Sequence, residues 1–300
     1  MNPTLAVDLG GTQMRAALVD RDGRILLRRA EPTPRDSACP DALLMLVGGV
    51  MEGAGIQEAV IGVPGRVNYV SGTLEHAPNL PPGWTTSLTE ENLSAVLGVR
   101  ASLANDADLA AVGESRFGAG RGYADVVYLT ISTGIGAGVI LGGLLAHGRR
   151  SLGEAGHTII DRSALAAGAP ATLEHQGSGT TLHHLAAEAG LEFSGAALVE
   201  LVEAGSPTAA RIWESVVEAA GIGAANLAHL FSPGAIVVGG GVARAGELLF
   251  GPIRAALARL GPRGLPVPIE VIGVALGDDA GLAGAAGWSD AFVREVVSHV

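Results

Sequence analysis

The first glycine-rich turn of this chain, Asp8-Leu9-Gly10-Gly11-Thr12, leads into a second strand and not into a helix. Beyond it Met14, Ala16 and Leu18 alternate with Arg15, Ala17 and Val19; the turn Asp20-Arg21-Asp22-Gly23 follows, and Ile25 to Leu27 resume the run. Period-two patterning on either side of a turn is the mark of a β-meander. A dinucleotide-binding Rossmann unit needs its glycine loop to open a helix whose N-terminus receives the pyrophosphate, so that fold is excluded. The theme recurs in the second half. Strands expected at Val126 to Ile131 and Val139 to Leu141 flank a second turn, Ser132-Thr133-Gly134-Ile135-Gly136-Ala137-Gly138. The chain reads as α/β and internally two-fold.

Helical periodicity covers Asp41 to Glu52, Leu88 to Leu97, Asp106 to Phe117, Pro207 to Leu230 and the small-residue segment from Ala280 onward. Further strands are expected at Ala59 to Val63, Arg100 to Leu103, Ala235 to Val238 and Val267 to Val274. Gly72 to Trp84, with His76, Pro78, Asn79, Pro81, Pro82 and Gly83, reads as a long irregular stretch, and such loops are usually functional or disordered. The uncharged run from Val126 to Ala146 has the length of a membrane span, but its glycines and β-branched residues favour two buried strands and a turn.

Composition narrows the chemistry. Three hundred residues, 48% of them hydrophobic, suffice for two domains with their own cores. Cys39 is the sole cysteine, so neither an intramolecular disulfide nor a thiolate zinc cage can form within the chain. No basic leader precedes Leu5-Ala6-Val7, and a reducing, cytoplasmic setting is expected. All 19 cationic residues are arginine; without lysine, Schiff-base chemistry and a Walker lysine are excluded. With a net charge of −11 and no basic run beyond Arg28-Arg29 or Arg149-Arg150, a nucleic-acid surface is not expected, and a small-molecule partner is.

Asn105-Asp106-Ala107 lies between the two glycine turns. Glycine lets backbone N–H groups approach phosphate oxygens with no Cβ in the way, and a carboxylate between two such turns can take the proton from an acceptor hydroxyl. Asp106 also suits the N-cap of the helix that follows, and the two roles are compatible. Asn105 adds an amide donor and acceptor, and Asp8, beside a phosphate turn, suits Mg²⁺ held through water. Glu154 and His157 have the spacing of a Glu-x-x-His metal motif, but Gly153 and Gly156 oppose the helix it needs. Hydrogen bonding to a polyhydroxylated ligand is the better role for them, with solvated loop residues as the alternative. Glu174 beside His175 carries nothing alone, and His183-His184 reads as a surface or core pair. Gly239-Gly240-Gly241 is explained equally by close strand–helix packing.

Taken in order, these pieces resemble the ROK sugar kinases, the bacterial glucokinase-like branch of the actin-type ATPase fold. The resemblance runs through Asp8 to Thr12, Pro78-Asn79-Leu80 to Gly83-Trp84, Asn105 to Ala107, Ser132 to Gly136, Gly153-Glu154-Ala155-Gly156-His157, Leu173-Glu174, Val238 to Gly241, and Leu276-Gly277 to Ala286. It implies an α/β, ribonuclease H-like architecture of two lobes closing on a cleft. The N-terminal lobe would span 1–117 and the C-terminal lobe 118–283, with 284–300 returning to the first. It implies Asp106 as general base on the sugar's primary hydroxyl, with Asn79, Asn105, Glu154, His157 and Glu174 on the remaining hydroxyls. Gly10, Gly11, Thr12, Thr133 and Gly134 would face the ATP phosphates, Gly240 and Gly241 the adenosine, and Asp8 a water-held Mg²⁺.

Two departures stand out. Gln13 replaces the usual lysine after the first turn, removing a positive charge near the phosphates. The cysteine positions of the family's zinc motif fall on Leu165, Ala167 and Thr172. No zinc site is expected, His157 is expected to be free for the sugar, and apolar packing is expected to hold Arg162 to Ala171 in the metal's place.

The activity implied is ATP-dependent 6-phosphorylation of a hexose in glycolytic carbohydrate metabolism, with glucose the leading substrate and N-acetylmannosamine, mannose or fructose next. A homodimer or homotetramer is expected. A sugar-responsive repressor would need a DNA-binding segment before the first strand, where only Met1 to Thr4 stand. A non-catalytic sugar sensor is the remaining alternative, opposed by the retention of Asp106 and both turns.

Overall fold

The computed structural model describes residues 2–35, 39–191, 195–265 and 267–293. The expected meander is present. β1 (Thr4–Leu9) pairs antiparallel with β2 (Gln13–Val19), which places Asp8 opposite Arg15, and β2 pairs antiparallel with β3 (Ile25–Pro32). β4 (Glu58–Val63) lies parallel to the other edge of β1. A hairpin of β5 (Arg66–Asn68) and β6 (Thr73–His76) follows, and then β7 (Arg100–Asn105), parallel to β4. The sheet order is β3-β2-β1-β4-β7.

β6 corrects the expectation of an irregular stretch from Gly72. Gly72 turns the chain at φ +64°, and Leu74 pairs opposite Val67 with both side chains buried. The alternation is too short, and its outward residues too polar, to show as a pattern in sequence. The rest of the stretch is anchored by buried Leu80, Trp84 and Leu88.

The second sheet holds β8 (Val126–Ile131), β9 (Ile135–Leu141), β10 (Leu144–Leu145), β11 (Ala235–Gly239) and β12 (Glu270–Gly273), in the order β10-β9-β8-β11-β12. The second glycine turn is thus shorter than its sequence suggests. β9 begins at Ile135, so Gly136 and Gly138 are strand residues; a Cβ at Gly138 would lie 2.5 Å from the Ala111 Cβ, and close packing calls for glycine there. β12 is shorter than the expected strand from Val267. Val126 to Ala146 is sheet, and among the described residues no helix is long and apolar enough to cross a membrane.

The chain divides into two compact units. One comprises 1–122, 138–152 and 278–300; the other comprises 123–137 and 153–277. In the first, the helix Asp106–Arg116 packs against the helix Ala280–Ala291 through glycines. Cβ atoms at Gly113 and Gly284 would lie 2.1 and 1.9 Å from the carbonyl oxygens of Ala280 and Leu109, so the backbones approach at a distance any side chain would prevent. Beneath them Leu5, Leu9, Leu103 and Ile61 are fully buried. In the second unit the helix Pro207–Phe231 starts on Ser206, whose hydroxyl accepts from the Ala209 N–H, with proline at the first helical position. Its buried stripe includes Trp213, Val216, Val217, Ala220, Ala224 and Leu227.

Candidate active site

In the first unit β1, β4 and β7 are parallel, and their C-terminal ends present Asp8, the first glycine turn, Asn105 and Asp106 along one edge of the sheet. Asp8 is opposite Gly62, and Gly62 opposite Ala104. Two strand spacings therefore put the Asp8 backbone roughly 10 Å from that of Ala104. Open α/β sheets bind ligands at such edges.

The junction from β7 into the helix assigns the cap to Asn105, not Asp106. The Asn105 side-chain oxygen accepts from the N–H groups of Ala107 (2.9 Å) and Asp108 (3.2 Å), and its amide donates to the Gly65 carbonyl at 3.0 Å. One amide hydrogen is left for a ligand hydroxyl. Asp106 is the first helical residue and accepts from the Ala107 N–H at 2.9 Å. Its carboxylate reaches water, yet protein crowds it closely. Desolvation first, and then the charge of Asp8, push its pKa from 3.8 up to about 7, against the pull of the Ala107 N–H. That value suits a base working near neutrality.

The first turn is held through its carbonyls. Thr33 Oγ1 donates to the Gly10 carbonyl at 2.6 Å and Arg35 Nη2 to the Gly11 carbonyl at 2.8 Å. A Cβ on Gly11 would lie 2.6 Å from the Asn79 carbonyl oxygen, so Asn79 is packed directly on the turn. Asp8 accepts from Arg15 Nε and Nη2 at 3.0 and 2.5 Å, both on Oδ2. Magnesium commonly binds through one carboxylate, several waters and the substrate's phosphates. The other oxygen of Asp8 fits that demand.

The second unit gathers the remaining candidates. The turn after β8 closes with the Ser132 N–H donating to the Gly134 carbonyl at 2.8 Å. Glu174 lies under it: its Oε2 accepts from the Ile135 N–H at 2.8 Å, and a Cβ on Gly134 would lie 2.4 Å from that oxygen. Glu174 is thus a brace of the turn, with Oε1 directed elsewhere. Gly156 sits in a short 3-10 turn, where a Cβ would lie 2.2 Å from the Ile135 carbonyl oxygen and 3.3 Å from the Glu174 Cβ. That packing brings Glu154 and His157 beside Glu174, with His157 Nε2 at 3.6 Å from Glu154 Oε2. Gly240, at φ +88°, backs onto the Ile131 carbonyl, where a Cβ would lie 2.4 Å from the oxygen.

A cavity of about 700 Å³ opens within this unit, lined by Thr133 and Gly241 together with Gly179, His183, Glu200 and Arg244 among others. Sequence reasoning placed only the first two there. The helix Gly179–Glu188 starts against the turn: the Gly179 N–H donates to the Ser132 carbonyl at 2.7 Å, and Thr180 Oγ1 to the Thr133 carbonyl at 2.7 Å. The signal available in sequence was Ser178, whose hydroxyl caps that helix. His183 is a cavity residue, while His184 pairs with Glu188 at 3.3 Å.

Apolar packing does not hold the segment from Arg162 to Ala171. The helix Arg162–Ala166 buries no residue, Leu165 is half exposed, and only Ala171 is enclosed. Polar bonds serve instead: Asp161 accepts from the Ser163 and Ala164 N–H groups, Gln176 reaches Asp161 and the Pro170 carbonyl at 3.3 Å each, and Thr172 Oγ1 lies 2.9 Å from His175 Nδ1. Among the described residues there is no group of three or more His, Cys, Asp and Glu side chains arranged to hold a metal ion.

The sequence profile of the ROK family matches residues 4–291. The chain belongs to the ROK family. It is 33% identical to the glucokinase of Thermotoga maritima over 94% of this chain and 95% of that protein. Among solved structures, a ROK family glucokinase from Streptomyces griseus in complex with glucose and AMPPNP superposes at a TM-score of 0.79. The identity is 34%, covering 95% of this chain and 98% of that one. The bifunctional enzyme NanE/NanK of Brucella suis is 35% identical over 95% of this chain but only 53% of its own length. These likenesses to ROK sugar kinases establish the actin-like ATPase fold, and both glycine turns and Asp106 lie inside the ROK match.

Proposed function

We propose that this ROK protein is an ATP-dependent hexose 6-kinase acting on glucose. The observation that carries the proposal is the placement of Asp106: a carboxylate at the C-terminal edge of a parallel sheet, in the unit that also carries a carbonyl-braced glycine turn. In the reaction the Asp106 carboxylate takes the proton of the sugar's primary hydroxyl. The hydroxyl oxygen forms a bond to the γ-phosphorus of ATP as the bond to the β–γ bridging oxygen breaks, releasing ADP. Little covalent chemistry falls to the protein; positioning and charge neutralisation supply the rate. Asn79, Asn105, Glu154, His157 and Glu174 hold the other hydroxyls. Gly10, Gly11, Thr12, Thr133 and Gly134 face the phosphates, and Gly240 and Gly241 the adenosine, whose base the 700 Å³ cavity has room to take. Asp8 would hold Mg²⁺ through water, and the ion would supply neutralisation of the phosphate charge.

Two features of this chain bear on the proposal. Arg35 places a guanidinium at the first turn, where Gln13 leaves no cation. The segment around Asp161 is closed by polar bonds, and the protein is proposed to be zinc-free; stoichiometric zinc in elemental analysis of tag-free protein would sink that part. The kinship with NanE/NanK favours N-acetylmannosamine as the second substrate to try. ADP release with Mg-ATP across hexoses and N-acetylhexosamines tests the whole. Turnover with glucose that Asp106→Asn abolishes while sugar still binds is expected, and sugar binding with no turnover on any sugar would overturn the kinase assignment.

A further inference from the structure

Two residues beyond the base lies a carboxylate for which the reaction just described has no use. Asp108 is fully buried in the first turn of the helix Asp106–Arg116. Tyr69 Oη donates to its Oδ2 at 2.5 Å and Ser151 Oγ to its Oδ1 at 3.0 Å. The same Tyr69 oxygen accepts the Asn105 backbone N–H at 3.1 Å. A closed circuit results, because the Asp108 N–H returns to the Asn105 side-chain oxygen. All four residues belong to the first unit.

Tyr69 has little freedom to leave this arrangement. Its ring is buried among His147, Phe292 and Trp288, at centroid distances of 5.4, 5.0 and 6.0 Å, and its backbone N–H donates to the Arg149 carbonyl at 2.8 Å. Burial, and then the Asp108 charge, push its hydroxyl well above the usual 10, so it remains a donor throughout the working range. Burying a carboxylate is unfavourable unless a satisfied network compensates it, and the Asn105 cap would start this helix without it.

We propose that Asp108, held by Tyr69 and Ser151, is the positioning residue of the base: it locks the strand-to-helix junction from which Asn105 and Asp106 are presented to the substrate. Asp106 reaches its reactive geometry through the Asn105–Tyr69–Asp108 circuit, and Ser151 ties the circuit to the segment that leads to Glu154. The charged and titratable groups around Asp106 and Asp108 include Asp8 from β1, itself held by Arg15 of β2, Tyr69 from beyond β5, and His147 behind the Tyr69 ring. Arg15 continues to the start of the last helix, donating to the Asp278 carbonyl at 2.9 Å and lying 3.9 Å from Asp279. Asp108 adds a like charge close to Asp106, which favours the protonated base.

The inference rests on the kinase assignment above, and its test separates the two. Tyr69→Phe, Ser151→Ala and Asp108→Asn are compared with wild type in kcat, in KM for sugar and for ATP, and in kcat/KM against pH, with melting curves alongside. Tyr69→Phe and Asp108→Asn are expected to lower kcat at least about tenfold with both KM values within about threefold, since the loss is one of base alignment. Asp108→Asn is expected also to move the acid limb of kcat/KM to lower pH, because a negative neighbour of the base is gone. A purely structural role would lower melting temperature and leave kcat of the folded variants within about twofold of wild type. A kcat within about twofold of wild type for Tyr69→Phe or for folded Asp108→Asn overturns the proposal. Should Asp108→Asn not fold, Tyr69→Phe and Ser151→Ala decide it by the split between kcat and KM. A wild type without turnover overturns both assignments; an active wild type with indifferent variants overturns only this one.

Discussion

At the first glycine turn Thr33 holds the Gly10 carbonyl and Arg35 the Gly11 carbonyl, and the Gly10 N–H is spent on the Gln13 carbonyl. At the second the Gly179 N–H and Thr180 Oγ1 hold the Ser132 and Thr133 carbonyls, and the Ile135 N–H is spent on the Glu174 carboxylate beneath Gly134. Both turns therefore fasten carbonyls and spend an N–H; what differs is the charged partner, a guanidinium at the first and a carboxylate at the second. The carboxylate brings a negative charge to the second turn, offset by the N-terminus of the helix Gly179–Glu188 that packs on it. Similar glycine-rich sequence therefore yields two different electrostatic surfaces. The first carries the guanidinium and lies in the same unit as Asp106.

The largest effect is expected at that base. Asp106→Asn should reduce kcat by about a thousandfold or more, the scale of a lost general base. In wild type the acid limb of kcat/KM should fall near pH 7, since the carboxylate form is the active one. The same raised pKa has a sign for stability. The folded state holds the proton more tightly than the unfolded chain, so the stability it contributes is complete below about 3.8 and is lost as pH rises through about 7. Melting curves of Asp106→Asn and wild type should coincide at pH 4, and the variant should melt higher at pH 8. Coincidence at both pH values would refute the raised pKa.

The next test sets the two turns directly against each other. An alanine Cβ at Gly11 meets the Asn79 backbone carbonyl at 2.6 Å, whereas at Gly134 it meets the end of the Glu174 side chain at 2.4 Å. Backbone cannot yield as a carboxylate can. Gly11→Ala is expected to lower kcat/KM for ATP by about a hundredfold and Gly134→Ala by about tenfold or less. Equal losses would mean the two turns are braced alike. The smallest effect belongs to Arg35, which is exposed: Arg35→Ala should raise KM for ATP a few-fold and leave kcat within about twofold. A KM for ATP unchanged at low salt would remove Arg35 from phosphate binding.

Much of the site was legible because it is local. Strand, Asn105, Asp106 and helix follow one another directly, and a side chain capping the next turn is a near-neighbour interaction. The same locality made the meander readable from Met14, Ala16 and Leu18, and the long helix from Pro207 onward. β6 was not readable, because four mostly polar residues become a strand only when Leu74 finds Val67 across a turn. Nor was the length of the second turn, since Gly136 and Gly138 look like loop residues until a helix packs against Gly138.

Sequence alone determined which groups this chain can bring to chemistry: glycine turns bare of Cβ, carboxylates without lysine, a single cysteine, and a strand-to-helix junction carrying Asp106. Those follow from residue type and from periods of a few residues. Tertiary structure alone decided what each group is bonded to. Glu174 reaches Ile135 across 39 positions, Tyr69 reaches Asp108 across the same interval, and Arg35 reaches back 24 to Gly11. Closing such intervals costs chain entropy that only the burial of whole sheets and helices can offset, so no short pattern in the sequence records them.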